Sequence, residues 1–319
     1  MRNITYVVIE NKNAAKNVWE RLSPNKVIDD EWDFRYQFYR HLQFKLYFIA
    51  AFDGREPVGL LALQFNTGEG LTPQYSDGTS FLEFFGGDDT DDNKIFLKSG
   101  YEHIETHLLN KIDRKAFLAP LQHQYRYKQH KAEAYENKYF LSLDGLTSYN
   151  DYVEKHWSSL SGKKLRQQIR RLYRDHEIKT VYNLYQDINL LAEMNIDRFG
   201  PQSSFNHEYR KDIFRNLTRL YKTQIITLIV DGRKMAVSYG LVYKKSYIGM
   251  NAGVDGSIRD LGKLLMLLQI EIAIVLGCTV YDGGKGSGRW KTEFKFESAP
   301  QYILRLNERD IEGDRCQFS

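Results

Sequence analysis

Two segments near the end of the chain gather residue types that act on anions and amines. The first is Arg259-Asp260-Leu261-Gly262-Lys263. A glycine at a helix start lets a ligand approach the backbone, and the first turn offers free N–H groups and the positive end of the dipole. Arg259 and Lys263 add charge, so the segment reads as a cradle for a diphosphate. It reads equally as an ordinary helix start, with Asp260 as N-cap and Gly262 present for packing. The second runs from Tyr281 to Phe296 and contains Gly283, Gly284, Gly286 and Gly288. Such a loop can fold closely around a ligand. Asp282, just beyond a buried strand, is placed to hold an amine or orient a hydroxyl. Lys291 and Arg289 could neutralise an anionic substrate or a developing oxyanion. The bland alternative is a flexible surface loop followed by a solvated basic helix.

A third stretch, Lys163 to Arg174, is a basic helix. Leu165, Ile169 and Leu172 share one face, while Arg166, Arg170 and Arg174 form a stripe on another. RNA phosphates would suit that stripe, and so would solvent or salt bridges. The acidic run Asp88-Asp89-Thr90-Asp91-Asp92 lacks the spacing of a calcium loop and reads as a solvated turn. His156, His176 and His207 have no partners at ligand spacing, so no metal site is expected. Neither a nucleophile elbow nor a Walker A sequence is present, which leaves hydrolase and P-loop readings without support.

The elements that must position these groups come as a repeat. Leu46–Phe52, Asp53-Gly54-Arg55 and Val58–Leu63 are answered by Ile225–Val230, Asp231-Gly232-Arg233 and Ala236–Leu241. Each reads as a hairpin, and each is followed by a third β-like run, Ser80–Phe85 or Ser246–Asn251. Helices are expected over Asn13–Leu22, Asp30–Leu42, Tyr101–Ile112, Ser148–Trp157, Ser161–Asp175, Tyr185–Phe199, Asn206–Tyr221 and Leu261–Leu276. Further strands are expected near Ala116–Leu118, Tyr139–Leu143, Thr279–Tyr281 and Tyr302–Leu306, with a polar loop at Asn66–Gly78. The fold class is therefore mixed α/β, one unit present twice, with a boundary at the Asp144-Gly145 turn and domains at 1–145 and 146–319.

The 319 residues suffice for two cores, and the composition, 42% hydrophobic and 27% charged, is that of a globular protein. The net charge of +4 does not by itself imply nucleic acid. Cys278 and Cys316 sit in dissimilar contexts, so a disulfide framework is not supported. The N-terminus lacks the features of a signal peptide, and Leu261–Cys278 carries Lys263, Gln269 and Glu271, unlike a membrane span. The expected setting is reduced and cytoplasmic. Oligomeric state is not legible.

These segments resemble the tandem GNAT-type N-acyltransferases, the bacterial group that includes CelD-like acetyltransferases and Fem-type peptidoglycan aminoacyl transferases. The likeness rests on Tyr152 through Leu172, on Asp231-Gly232-Arg233 through Gly240, on Leu261-Gly262-Lys263-Leu264-Leu265, and on Asp282-Gly283-Gly284 to Phe294. It implies two GNAT-like domains, each a twisted mixed sheet with flanking helices. It also implies that backbone amides of Arg259, Leu261, Gly262, Lys263 and Leu264 hold the diphosphate of acyl-CoA, acetyl-CoA included. Leu264 stands where the family usually has Gly or Ala, which leaves room for an aminoacyl-tRNA donor. Lys291 is the better match to the family's Lys-x-x-Phe, with Phe294-Lys295 as the other candidate. The implied reaction moves an acyl group to the primary amine of an amino sugar, amino acid or cell-envelope precursor. Lys291 or backbone amides would steady the oxyanion, and Asp282, Tyr281 or Tyr247 would move protons. A Fem-type transfer from tRNA and a non-catalytic binding module are the alternatives. The first domain, with its acidic Gly86-Gly87-Asp88-Asp89 loop, is expected to lack a donor site and to shape the acceptor pocket.

Overall fold

The computed structural model describes residues 4–42, 44–67, 80–122, 126–127 and 130–306. Cys316 and the greater part of the expected polar loop at Asn66–Gly78 lie outside them. The first stretch of chain forms β1 (Ile4–Ile9), α1 (Lys12–Leu22), α2 (Trp32–Tyr39), β2 (Lys45–Asp53), β3 (Glu56–Asn66), β4 (Phe81–Phe84), β5 (Phe96–Leu97), α3 (Glu105–Leu109), β6 (Ala116–Leu121), β7 (Arg126–Tyr127) and β8 (His130–Lys131). There follow β9 (Glu133–Ser142), α4 (Tyr149–His156), α5 (Ser159–Asp175), β10 (Ile178–Tyr182), α6 (Asp187–Phe199), α7 (Glu208–Leu220), β11 (Lys222–Val230), β12 (Arg233–Tyr243), β13 (Ser246–Val254), α8 (Leu261–Val275), β14 (Val280–Lys285), α9 (Arg289–Glu293) and β15 (Glu297–Leu306).

Both expected hairpins form, but their turns differ. In the second, Val230 pairs with Arg233, and Asp231 and Gly232 take φ of 50° and 79°. Positive φ at both central positions is what a type I′ turn requires. In the first, Asp53 pairs with Glu56, so Asp53 ends the strand and Gly54, at φ 60°, opens the turn. The same three letters therefore sit one position apart in the two turns. Two edge strands, β1 and β10, went unexpected. Both are short, and the burial of β1 alternates weakly, so their sequences carry little periodic signal.

The two compact units are Met1–Asn137 with Pro300–Ser319, and Lys138–Ala299. In the first, the strand order is β1-β2-β3-β4-β6-β15, antiparallel except for the parallel step from β4 to β6. In the second it is β10-β11-β12-β13-β14-β9, antiparallel except for the parallel step from β13 to β14. The topologies correspond strand for strand. The sixth place is filled by exchange, since β9, which comes after β6 and the small β7–β8 pair, bonds to β14, and β15, which comes after β14, bonds to β6. The units consequently divide elsewhere than at the Asp144-Gly145 turn: Lys138–Ser142 bond to β14, and Tyr302–Leu306 bond to β6.

In the first unit, α1 and α2 cover one sheet face with Trp19, Trp32, Phe48 and Phe85, and α3 closes the other over Leu61, Leu63, Leu82 and Leu118. In the second, α8 is apolar nearly all round and lies buried with Leu165, Ile169 and Leu172 of α5, as their spacing predicts. No helix among the described residues is long and apolar enough to cross a membrane.

The turn after β4 is held by one buried cation. Arg35, 2% exposed, donates to the carbonyls of Asp29, Phe85 and Asp92 and to Asn93 Oδ1, with its guanidinium over the Trp19 ring. Burial pushes its pKa down, and Asp29, Asp30 and Asp92 pull it back up. Removing the cation strands several buried acceptors at once. Arg35→Met should cost about 2–4 kcal/mol of stability, read as a lower urea midpoint with an unchanged slope.

Candidate active site in the second unit

The parallel step between β13 and β14 lasts for three residue pairs, Ser246 with Val280, Tyr247 with Tyr281 and Ile248 with Asp282. Beyond them the strands part. At the parting, the pairing of β13 with β12 jumps from Gly240–Gly249 to Tyr239–Asn251, leaving Met250 as the extra residue of a bulge. A bulge leaves backbone groups outside the ladder and re-aims the strand. The gap opens into a cavity of about 600 Å³ lined by β13 from Gly249, the start of α8, Tyr281 and Gly283 of β14, α9 and the end of α6. Backbone N–H and C=O groups freed by the parting need partners, and an extended ligand could supply them.

Aromatic side chains standing over glycines shape this opening. A Cβ on Gly240 would lie 2.3 Å from Tyr247 Oη, one on Gly249 2.5 Å from Tyr281 Oη, and one on Gly283 2.7 Å from Phe296. The Tyr247 and Tyr281 rings lie 4.9 Å apart, and the Tyr281 and Phe296 rings 5.4 Å. Gly283 therefore serves packing, and the glycine run is part strand, because β14 extends to Lys285. Tyr281 lines the cavity and donates to Gln269 Oε1 at 2.9 Å. Burial drives its hydroxyl well above the ordinary range, with Tyr247 and Asp282 pushing the same way, so near neutral pH it is a donor and not a base. Tyr247 is fully buried among the core residues, its hydroxyl without a hydrogen-bond partner among the described residues.

Lys291 is 4% exposed, and its ammonium donates to the carbonyls of Gly284, Lys285 and Gly286 at 3.0, 2.6 and 3.0 Å. An ammonium has three N–H bonds, so these carbonyls use all of them. It also lies over the Tyr139 ring. The sequence suggested an oxyanion partner, and the geometry instead makes Lys291 the pin that closes the glycine turn. Asp282 alternates with Tyr281 along the strand and is absent from the cavity wall. It pairs with Lys138 at 2.8 Å and accepts from the N–H of Gly284, which braces the same turn.

The start of α8 carries the other predicted residues. Leu261 and Leu264 are buried, so only their backbones can meet a ligand. Asp260 takes φ 67° and makes no side-chain cap, which sets aside the N-cap reading. Lys263 bridges Asp260 at 3.2 Å and Glu293 at 3.0 Å. Burial would lower its pKa, but those two carboxylates outweigh it and raise it. Arg259 is largely exposed. A Cβ on Gly262 would meet only Val254 Cγ2 among the described residues, at 3.8 Å. Packing does not require that glycine. The end of α6, which brings Asn195, Arg198 and Phe199 to the cavity, carried no motif and was missed.

Residues 161–292 match the family model described as "Acetyltransferase (GNAT) domain". Among solved structures, FemX superposes with a TM-score of 0.60 at 9% identity, over 94% of this chain and 96% of that one. L-PGS from Bacillus licheniformis gives 0.56 at 11% identity, over 94% and 93%. A tandem GNAT protein from the clavulanic acid biosynthesis pathway gives 0.53 at 11% identity, over 95% and 98%. At such identities the likeness is one of fold. No curated protein matches. Among the described residues no cluster of His, Cys, Asp or Glu could hold a metal ion.

Two substitutions test the assignments of Lys291 and Tyr247. Lys291→Met keeps the bulk but leaves three carbonyls facing an apolar chain, and should lose about 2–4 kcal/mol in urea unfolding. Tyr247→Phe removes a buried hydroxyl that has no partner, so it should leave stability unchanged or raise it by up to about 1 kcal/mol. A large loss on Tyr247→Phe would mean that the hydroxyl has work to do.

Proposed function

We propose that this chain, a tandem GNAT-type protein, transfers an acyl group from acyl-coenzyme A to a primary amine, and that the second unit holds the donor. The observation that carries the reading is the parting of β13 from β14, with the first turn of α8 at the opening and space beside Gly262 that no protein atom uses. A pantetheine arm is a narrow chain of amides, and it suits backbone edges that have lost their ladder partners. The diphosphate would then meet the N–H groups at the α8 start. Charge there is evenly matched, Arg259 and Lys263 against Asp260 and Glu293, so backbone dipoles carry more of the attraction than side chains do.

In the transfer step the amine nitrogen attacks the donor's carbonyl carbon, the C–S bond breaks, and the proton that the nitrogen sheds ends on the departing thiolate. Holding both partners in the crevice supplies much of the acceleration. Backbone N–H groups left outside the ladder at the Met250 bulge would be the donors for the oxyanion, in place of Lys291. Asp282 bears on the turn through its bond to Gly284, and Tyr281 keeps its proton. The reading draws the acceptor from amino sugars, amino acids and cell-envelope precursors.

An aminoacyl-tRNA donor is the second reading, and α5 favours it. Lys163, Lys164, Arg170, Arg171 and Arg174 are exposed, and Gln168 on the same helix reaches Lys263 at 3.4 Å. The basic face thus leads to the crevice opening. Binding of this kind would weaken steeply as salt rises.

Calorimetric titration with coenzyme A and acetyl-CoA decides between them. Micromolar affinity is expected. Gly262→Ala should keep or slightly raise the melting temperature, because alanine favours helix, yet weaken coenzyme binding by about tenfold or more, a loss of about 1.4 kcal/mol. If the wild type binds no coenzyme but binds deacylated tRNA in a salt-sensitive way, the second reading stands in its place.

A further inference from the structure

Where the crevice meets the end of α6, the groups that face it are hydrogen-bond donors. The bulge at Met250 resets the alternation along β13, so Ala252 and Val254 pack on the α8 side while Asn251 and Gly253 face α6. A Cβ on Gly253 would lie 2.6 Å from Met194 Cβ, and Asn195 Nδ2 donates to Asn251 Oδ1 at 3.3 Å.

The amide of Asn195 is fixed. It is 6% exposed, and Ser203 Oγ donates to its Oδ1, so its NH2 must point the other way, at Asn251. Asn251 therefore accepts on its oxygen and turns its own NH2 away from α6. That NH2 has no hydrogen-bond partner among the described residues, and Asn251 lines the cavity. Close by on α6, Arg198 lines the same cavity with its guanidinium 5.1 Å from the Phe199 ring centre. It pairs with no carboxylate among the described residues. A guanidinium laid on a ring keeps its N–H edge free for a planar or tetrahedral anion. The acidic side chains of the cavity wall, Asp260 just before α8 and Glu293 at the end of α9, are both held by Lys263 of the first turn of α8.

We propose that the α6 end of the crevice binds an anionic group of the acceptor, with Arg198 supplying charge and Asn251 a directed N–H pair. The acceptor is then an amine that also carries an acid, either the carboxylate of an amino acid or short peptide or the phosphate of an amino-sugar phosphate. This rests on the reading that the donor enters at the α8 end and the acceptor arrives from the other.

The test is calorimetry of the full chain with matched pairs: L-alanyl-L-lysine against its C-terminal amide, and glucosamine 6-phosphate against glucosamine. In at least one pair the anionic member should bind about tenfold or more tightly, and Arg198→Gln should abolish the difference. The pair that responds identifies carboxylate or phosphate. Equal affinity within both pairs, no binding by either anionic member, or a preference that survives Arg198→Gln overturns the proposal. Coenzyme A titrated into the same two proteins keeps the readings apart. Arg198→Gln should leave coenzyme affinity unchanged. A protein that binds coenzyme but shows no preference loses only this inference, and one that shows the preference without binding coenzyme loses only the donor reading.

Discussion

The second unit depends on one packing constraint: the rings of Tyr247, Tyr281 and Phe296 stand over glycines on neighbouring strands. Aromatic rings of this size fit against a sheet only where a neighbour has no side chain. The stack takes up Gly240, Gly249 and Gly283, and the parallel pairing of β13 with β14 ends just where Gly249 and Gly283 begin. Parting, bulge and cavity share that locus. A Cβ at any of the three positions would have to displace a buried ring. The crevice is thus a property of the core and does not wait on a mobile loop.

The glycine turn beyond it is also secured from within. Lys291 gathers three carbonyls, Asp282 accepts from Gly284, and Tyr152 of α4 donates to the carbonyl of Phe294 at the end of α9. Charged side chains that look catalytic in a linear reading are occupied with backbone groups. Arg35 does the same in the first unit, on the turn that follows β4, the counterpart of β13. Each turn therefore rests on a buried cation, although the two cations come from different places in the chain and neither turn's sequence announces its partner.

Much of the fold was legible because its signals are local. The Asp-Gly hairpins, the amphipathic α5 and the apolar α8 carry their periodicity in their own residues. The domain boundary was not, because strand exchange is a fact about pairing: nothing in Tyr302–Leu306 says that its partner is β6. Site residues divided along the same line. Gly262, read as a diphosphate contact, and Tyr281, read as a proton carrier, both line the cavity. Asp282 was misplaced by a single step of strand alternation, and Lys291 by carbonyls that no sequence pattern marks as acceptors. Asn195, Asn251 and Arg198 carried no motif, and only the shift of alternation at Met250 brings them together.

The lysines beside the crevice have a further consequence. The proposed transfer would bring an activated acyl group up to a protein that is itself built from amines, and an unprotonated lysine next to that donor would be acylated first. Lys263 sits between two carboxylates that favour its charged form, and Lys291 spends its three N–H bonds on carbonyls. Neither offers a nitrogen lone pair to the cavity. Under the proposed chemistry, the same contacts that brace the helix start and the turn would also protect the protein from its own reagent.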